Sequence, residues 1–183
     1  MTEEKIYLVP VGNIDKEILE NIKIELSGVL PQPAEIEIAP EEKLPESAYN
    51  PSRKQYRAGA ILEYLLPRIR ISLKNERALI IADVDLYEKG LNYVFGKAES
   101  NRGVCIISLA RLRNEFYGLK PNPELFLKRS IKEAVHELGH TWGIVHCPNP
   151  KCVMYFSNSI LDTDRKDFIF CSLCQKKLRD SKR

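Results

Sequence analysis

The chain has 183 residues, 44% hydrophobic and 29% charged, which fills one globular core and excludes a low-complexity or disordered polymer. A formal net charge of +3 is too small to mark a nucleic-acid surface. No run approaches the roughly 18 apolar residues of a membrane span, and the charged start with its short apolar run Ile6 to Val11 does not make a signal sequence. The expectation is a cytoplasmic monomer with neither membrane nor nucleic-acid partners.

Ile6 to Val11 reads as a first strand. Asn13 or Asp15 can cap a helix to about Leu26, with Ile18, Leu19, Ile22 and Leu26 on one stripe and Gly28 closing it. Glu35 to Ile38 alternates like a strand, and Glu41 to Ser52 reads as a loop. Gln55 to Leu66 is expected to be helical, with Pro67 ending it. Ala78 to Ala82 and Gly103 to Leu109 are unbroken apolar runs, as buried strands require. Tyr93 to Phe95 is expected to form a short strand before Gly96. The basic residues Lys176, Lys177, Arg179, Lys182 and Arg183 read as a solvated helix end. No internal repeat is present.

A long helix is expected from about Pro123 to Trp142. At 100° per residue, Leu127, Ile131, Ala134, Val135, Leu138 and Trp142 share one face, and His136 and His140 lie roughly opposite. Such a helix can pack one side on a sheet and turn the histidines into a cleft. Trp142 then belongs to the core.

All three histidines of the chain fall between His136 and His146, in H-E-x-x-H-x-x-G-x-x-H spacing. His136 and His140 sit one helical turn apart and can share a metal ion. Gly143 allows the chain to leave the helix, and the turn returns His146 as a third nitrogen ligand. Three protein ligands leave zinc one open position, the mark of a catalytic site. Glu137 stands beside them as a base for a bound water, and no second carboxylate for that task is evident nearby.

Of five cysteines, Cys105 lies in an apolar run and reads as a core thiol. The others form two pairs, Cys147 with Cys152 across a Pro-Asn-Pro turn and Cys171 with Cys174 in a C-x-x-C knuckle. That layout suits a structural zinc site. Two disulfides, a redox C-x-x-C and an iron–sulfur cluster are the alternatives. With zinc in both places, His146 and Cys147 would bind different ions, two per chain.

His136, Glu137, His140, Gly143 and His146, followed closely by Cys147, Cys152, Met154, Cys171 and Cys174, resemble the archaemetzincin pattern within the metzincin metallopeptidases. The resemblance implies an α/β (α+β) fold with a mixed twisted sheet and an antiparallel edge strand over the cleft, where extended substrates pair. Tyr93 to Ala98 is the candidate edge. It also implies that Met154 forms the turn under the metal. Tyr155 could line the cleft, but its spacing fits poorly and it stays outside the catalytic set. The implied organisation is a single metallopeptidase domain. Residues 1–143 form an α/β part ending in the site helix, and residues 144–183 form an irregular part bound to the cysteine zinc.

The expected activity is zinc-dependent hydrolysis of peptides or proteins, as an endopeptidase or aminopeptidase, with Glu137 moving the proton. A zinc- or peptide-binding module with little hydrolytic activity is the alternative, and a hydrolase of non-peptide amides a weaker one.

Overall fold

In the computed structural model, which describes residues 4–180, eight strands and five α-helices follow one another along the chain. They are β1 (Glu4–Val11), α1 (Lys16–Val29), β2 (Ala34–Ile38), β3 (Tyr49–Asn50), β4 (Gln55–Arg57) and α2 (Ala58–Leu65). Then come β5 (Glu76–Ala82), β6 (Leu86–Tyr87), β7 (Gly96–Glu99), β8 (Val104–Ser108), α3 (Pro123–Thr141), α4 (Ile160–Arg165) and α5 (Ser172–Asp180). The main sheet has the order β2-β1-β5-β8-β7. Its first four strands are parallel, and β7 runs antiparallel to β8, with Gly96 opposite Ile107 and Glu99 opposite Val104. A small sheet, β3-β4-β6, lies beside it.

The apolar runs of β1, β5 and β8 are buried on both faces, as central parallel strands are. Leu8, Leu79, Cys105 and Ile107 pack with side chains of α1 and α3. Their alternate neighbours Val9, Ile80, Ala82 and Ile106 pack with Ile61, Leu62 and Leu65 of α2. The result is a three-layer α/β fold with the site helix on one face of the sheet.

Four expected segments differ from the observed ones. Glu41 to Ser52, expected as a loop, contains β3, which pairs antiparallel with β4. Helix α1 runs through Gly28 to Val29, because the extended Leu30 that ends it precedes Pro31. Gln55 to Arg57 form β4, not the start of a helix. Gln55 Nε2 donates to Asp85 and to the Asn92 carbonyl, and Tyr56 N–H donates to the Asp85 carbonyl, so tertiary pairing overrides helical periodicity here. The edge strand begins at Gly96, where the expected short strand ends. Tyr93 to Phe95 still alternate, with Phe95 in the α3-side core and Val94 against the α2-side core; the Phe95 carbonyl accepts from Ser108 N–H at 2.8 Å and Val94 N–H donates to the Leu86 carbonyl at 3.0 Å, so the segment is bonded to both sheets without being a regular strand of either.

Helix α3 starts at a side-chain cap, with Asn122 Oδ1 accepting from Leu125 N–H at 3.0 Å and Pro123 in the first turn. Ile131, Ala134, Val135, Leu138 and Trp142 are buried as expected. The opposite face is also covered, so the helix is buried almost all round from Arg129 to Gly139. The cover includes Met154, Lys166 and Phe170 from the segment after Gly143. No helix among the described residues is long and apolar enough to cross a membrane. The basic cluster ends in Lys182 and Arg183, which lie outside the described residues.

Candidate metal centre and catalytic cleft

The end of α3 is shaped by Gly143. It adopts φ +80°, and its N–H donates to the His140 carbonyl while Ile144 N–H donates to that of Gly139. This is the Schellman pattern, which stops the helix and reverses the chain. His146 thereby returns to the two helical histidines. The Nε2 of His140 lies 3.1 Å from that of His136 and 3.2 Å from that of His146.

The other ring nitrogens decide what those contacts are. His136 Nδ1 lies 2.8 Å from the Val153 carbonyl, and His140 Nδ1 lies 2.8 Å from the Ile144 carbonyl. A carbonyl only accepts, so each Nδ1 carries the proton and each of these Nε2 atoms presents a lone pair. Burial holds His136 well below the usual imidazole range, and lowers His140 and His146 too, which favours neutral rings. Converging lone pairs repel unless a cation lies between them. Tetrahedral zinc with Zn–N bonds of about 2.05 Å would set its nitrogens about 3.3 Å apart, so the three residues fit the ion.

Glu137 is almost fully buried. Burial, followed by the nearby charge of Glu133, pushes its carboxyl well above the ordinary range. It packs against the first residue of β7: a Cβ on Gly96 would lie 2.6 Å from Glu137 Cγ and Oε1. The absence of a side chain at Gly96 is what lets the carboxylate stand beneath the edge strand. The cleft between β7 and α3 has a volume of about 590 Å³. Its walls include Val94, Gly96, Ala98, the three histidines, Glu137 and Phe156. Phe156 packs on His146 with ring centroids 4.9 Å apart.

The expectation that no second carboxylate lies nearby is corrected. Glu133, one helical turn before His136 and Glu137, lines the same cleft. Its i, i+3 and i, i+4 spacing was the signal for it. Glu133 is buried against the fully buried Lys166, with Nζ to Oε1 at 2.9 Å, an ion pair whose hydrogen-bond angles are poor. Across the cleft mouth, Tyr93 Oη donates to the Asn158 carbonyl at 2.6 Å, and Arg111 stacks on the Tyr93 ring. Sequence reasoning missed Glu133, Phe156 and Asn158. Gly96 carried a signal, since glycine at a strand position often marks a close approach.

The sulfurs of Cys147, Cys152, Cys171 and Cys174 all lie within 4.8 Å of one another, with Cys147 and Cys171 at 3.8 Å. None is bridged, and the separation is far beyond an S–S bond of about 2.05 Å. Tetrahedral zinc with Zn–S bonds of about 2.3 Å places its sulfurs about 3.8 Å apart, so this quartet fits the ion as well. The Cys174 amide draws the Cys171 thiol down to about 7, while burial pushes Cys152 and Cys174 up. Cys171 N–H donates to Cys152 Sγ at 3.3 Å, a bond that favours thiolate. Between the two clusters, Val153 supplies the carbonyl that orients His136, and Cys147 N–H donates to the Met154 carbonyl.

Met154 is wholly buried, and its Sδ is the atom nearest to where a Cβ on Gly139 would lie. Trp142 is a core residue, with Nε1 donating to Glu4 at 2.6 Å. Cys105 is a buried thiol, as expected. Phe156, not Tyr155, is among the residues that line the cleft.

The model of peptidase family M54 matches residues 5–180. An archaemetzincin from Methanocaldococcus jannaschii is 44% identical over 176 residues, covering 96% of this chain and 93% of that protein. One from Pyrococcus furiosus is 41% identical over 180 residues, covering 97% and 93%. Among solved structures, archaemetzincin from Methanopyrus kandleri superposes with a TM-score of 0.81 at 38% identity, covering 98% of this chain and 95% of that one. A zinc-dependent peptidase from Methanocorpusculum labreanum gives 0.84 at 32% identity, covering 94% and 99%. Fold, clusters and relatives together define a zinc metallopeptidase. The chain belongs to peptidase family M54, the archaemetzincins.

Proposed function

We propose that this chain hydrolyses peptide bonds at a zinc ion held by His136, His140 and His146, with Glu137 as its general base and acid. The observation that carries this is the convergence of the three Nε2 atoms, two of them with lone pairs turned inward. Zinc bound there supplies Lewis acidity, which acidifies water and polarises a carbonyl. Glu137 takes the proton of the attacking water on its carboxylate and returns it to the leaving amine nitrogen. Burial raises its affinity for that proton, which strengthens the carboxylate as a base. The free edge of β7 pairs with an extended substrate backbone, beside the carboxylate that Gly96 accommodates.

Cys147, Cys152, Cys171 and Cys174 hold a second zinc ion, making two per chain, and Met154 is the methionine of the turn beneath the first. The second ion fixes the segment that delivers His146 and the Val153 carbonyl, an outer layer of support for the catalytic ligands. The chain divides at Gly143 into the two parts 1–143 and 144–183. Four unbridged thiols in one cluster support a reducing, cytoplasmic compartment.

The test compares wild type with Glu137→Ala on a peptide library, with zinc content and melting measured on both. Glu137→Ala is expected to keep both metals and its stability while losing about 10²–10⁴-fold in turnover. Equal turnover by the two proteins would remove the mechanism and leave a binding module.

A further inference from the structure

Glu133 is 2% exposed, yet it lines the cleft. It lies on the histidine face of α3, one turn deeper than His136 and Glu137, so it forms the floor beside the reacting centre. Its Oε1 is taken: Thr163 Oγ1 donates to it at 3.0 Å and Lys166 Nζ lies 2.9 Å away. No described residue donates to Oε2. Oε2 is not among the sealed, unpartnered side-chain atoms, so it is open to solvent, and a carboxylate oxygen open to solvent takes its hydrogen bond from water. A substrate side chain that reaches the floor must then either replace that bond or leave the oxygen dry and unpaired.

We propose that Glu133 is a specificity-determining residue. The cleft floor accepts a neutral, hydrogen-bond-donating side chain, such as threonine, serine, asparagine or glutamine, from a residue flanking the scissile bond. An apolar side chain of the same shape is rejected because it strips water from Oε2 and offers nothing in return. A cationic side chain gains little, because Lys166 already neutralises Glu133 from behind and repels a second ammonium. The cleft walls include the apolar Val94 and Ala98 and the polar Ser100, Ser157 and Asn158. This inference rests on the peptidase reading above.

The experiment uses shape-matched peptide pairs, Thr against Val and Gln against Met, varied at each of the two residues flanking the scissile bond, with a Lys peptide in each set. Turnover is measured on the zinc-loaded wild type. Binding of the same peptides is measured by calorimetry on zinc-loaded Glu137→Gln, so that affinity is read without hydrolysis. At one flanking position the donor peptide is expected to win by about 10- to 100-fold in kcat/KM and in Kd. The double variant Glu133→Leu with Lys166→Met removes both charges at similar volume, a replacement that buried ion pairs often tolerate. In it the preference should vanish or reverse. Should that protein fail to fold, Glu133→Gln with Lys166→Met keeps a neutral acceptor and should reduce the ratio severalfold. No donor preference at either position, a preference for Lys over Gln, or a ratio unchanged in the charge-removed variant would each overturn the inference. Peptides that bind with the donor preference but are never cleaved would leave it standing and remove the hydrolytic reading instead. Cleavage without the preference would do the reverse.

Discussion

Replacing Gly96 with alanine should displace the carboxylate of Glu137, the proposed base, while leaving all three proposed metal-binding histidines in the chain. A Cβ at this position would lie 2.6 Å from Glu137 Cγ and Oε1 and 2.7 Å from the Ile106 carbonyl oxygen. Ordinary contact begins near 3.4 Å, so the Glu137 atoms are about 0.8 Å and the Ile106 oxygen about 0.7 Å too close. The Ile106 carbonyl belongs to β8, paired with β7, and cannot retreat without breaking the ladder. Glu137 is the part that can move, and it must move by much of that distance. Overpacking of this kind costs about 1–3 kcal/mol, which lowers melting by about 2–12 °C in a domain of this size. A misplacement near 1 Å costs about 10²-fold in rate. The assay is kcat/KM on a cleaved peptide at a temperature well below melting, with zinc content measured in parallel. Zinc should be retained, because none of the three atoms nearest to that Cβ belongs to a histidine. The decisive comparison adds Glu137→Gln. If Gly96→Ala acts through the carboxylate, the double variant should be no slower than Glu137→Gln alone. Two penalties that simply multiply, or a Gly96→Ala protein with wild-type rate, would refute the reasoning.

Gly139→Ala should destabilise the protein by about 1–3 kcal/mol, read from melting, because its Cβ would collide with the buried Met154 Sδ and lie 3.1 Å from Phe170 Cε1. Lys166→Ala, which strands Glu133 as a buried unpaired charge, should cost about 3–5 kcal/mol in denaturant unfolding and more than the paired replacement with Glu133→Leu. Metal analysis of protein purified without chelator should find two zinc ions, one leaving under mild chelation and one resisting; iron with sulfide, or two disulfides, would contradict the cysteine site. Cys171→Ser should lower melting and expose the segment after His146 to protease, since metal binding at such sites contributes on the order of 10 kcal/mol to folding. Unchanged melting and resistance would show the quartet to be dispensable.

Much of the site was legible because its defining relations are local. The four-residue step from His136 to His140 follows from helical pitch alone, and Gly143 at its offset announces the left-handed stop that returns His146. The apolar stripe from Ile131 to Trp142 told which side of α3 meets the sheet. Two cysteine pairs at ligand spacing signalled a quartet before any distance was known. Periodicity gives a direction about the helix axis, however, and not what waits there. That Lys166 meets Glu133, that Gly96 makes room for Glu137, and that Val153 orients His136 are contacts between segments distant in sequence. The same limit explains Gln55 to Arg57, whose helical pattern lost to pairing with β3 and β6, and Tyr93 to Phe95, whose backbone bonds go partly to β8 and partly to β6. The sequence by itself determined the chemistry of the centre, because ligand type and spacing are properties of the chain. Only the tertiary structure decided the shape and polarity of the cleft, because those depend on which distant side chains the packed sheet and the C-terminal segment bring against one helix face.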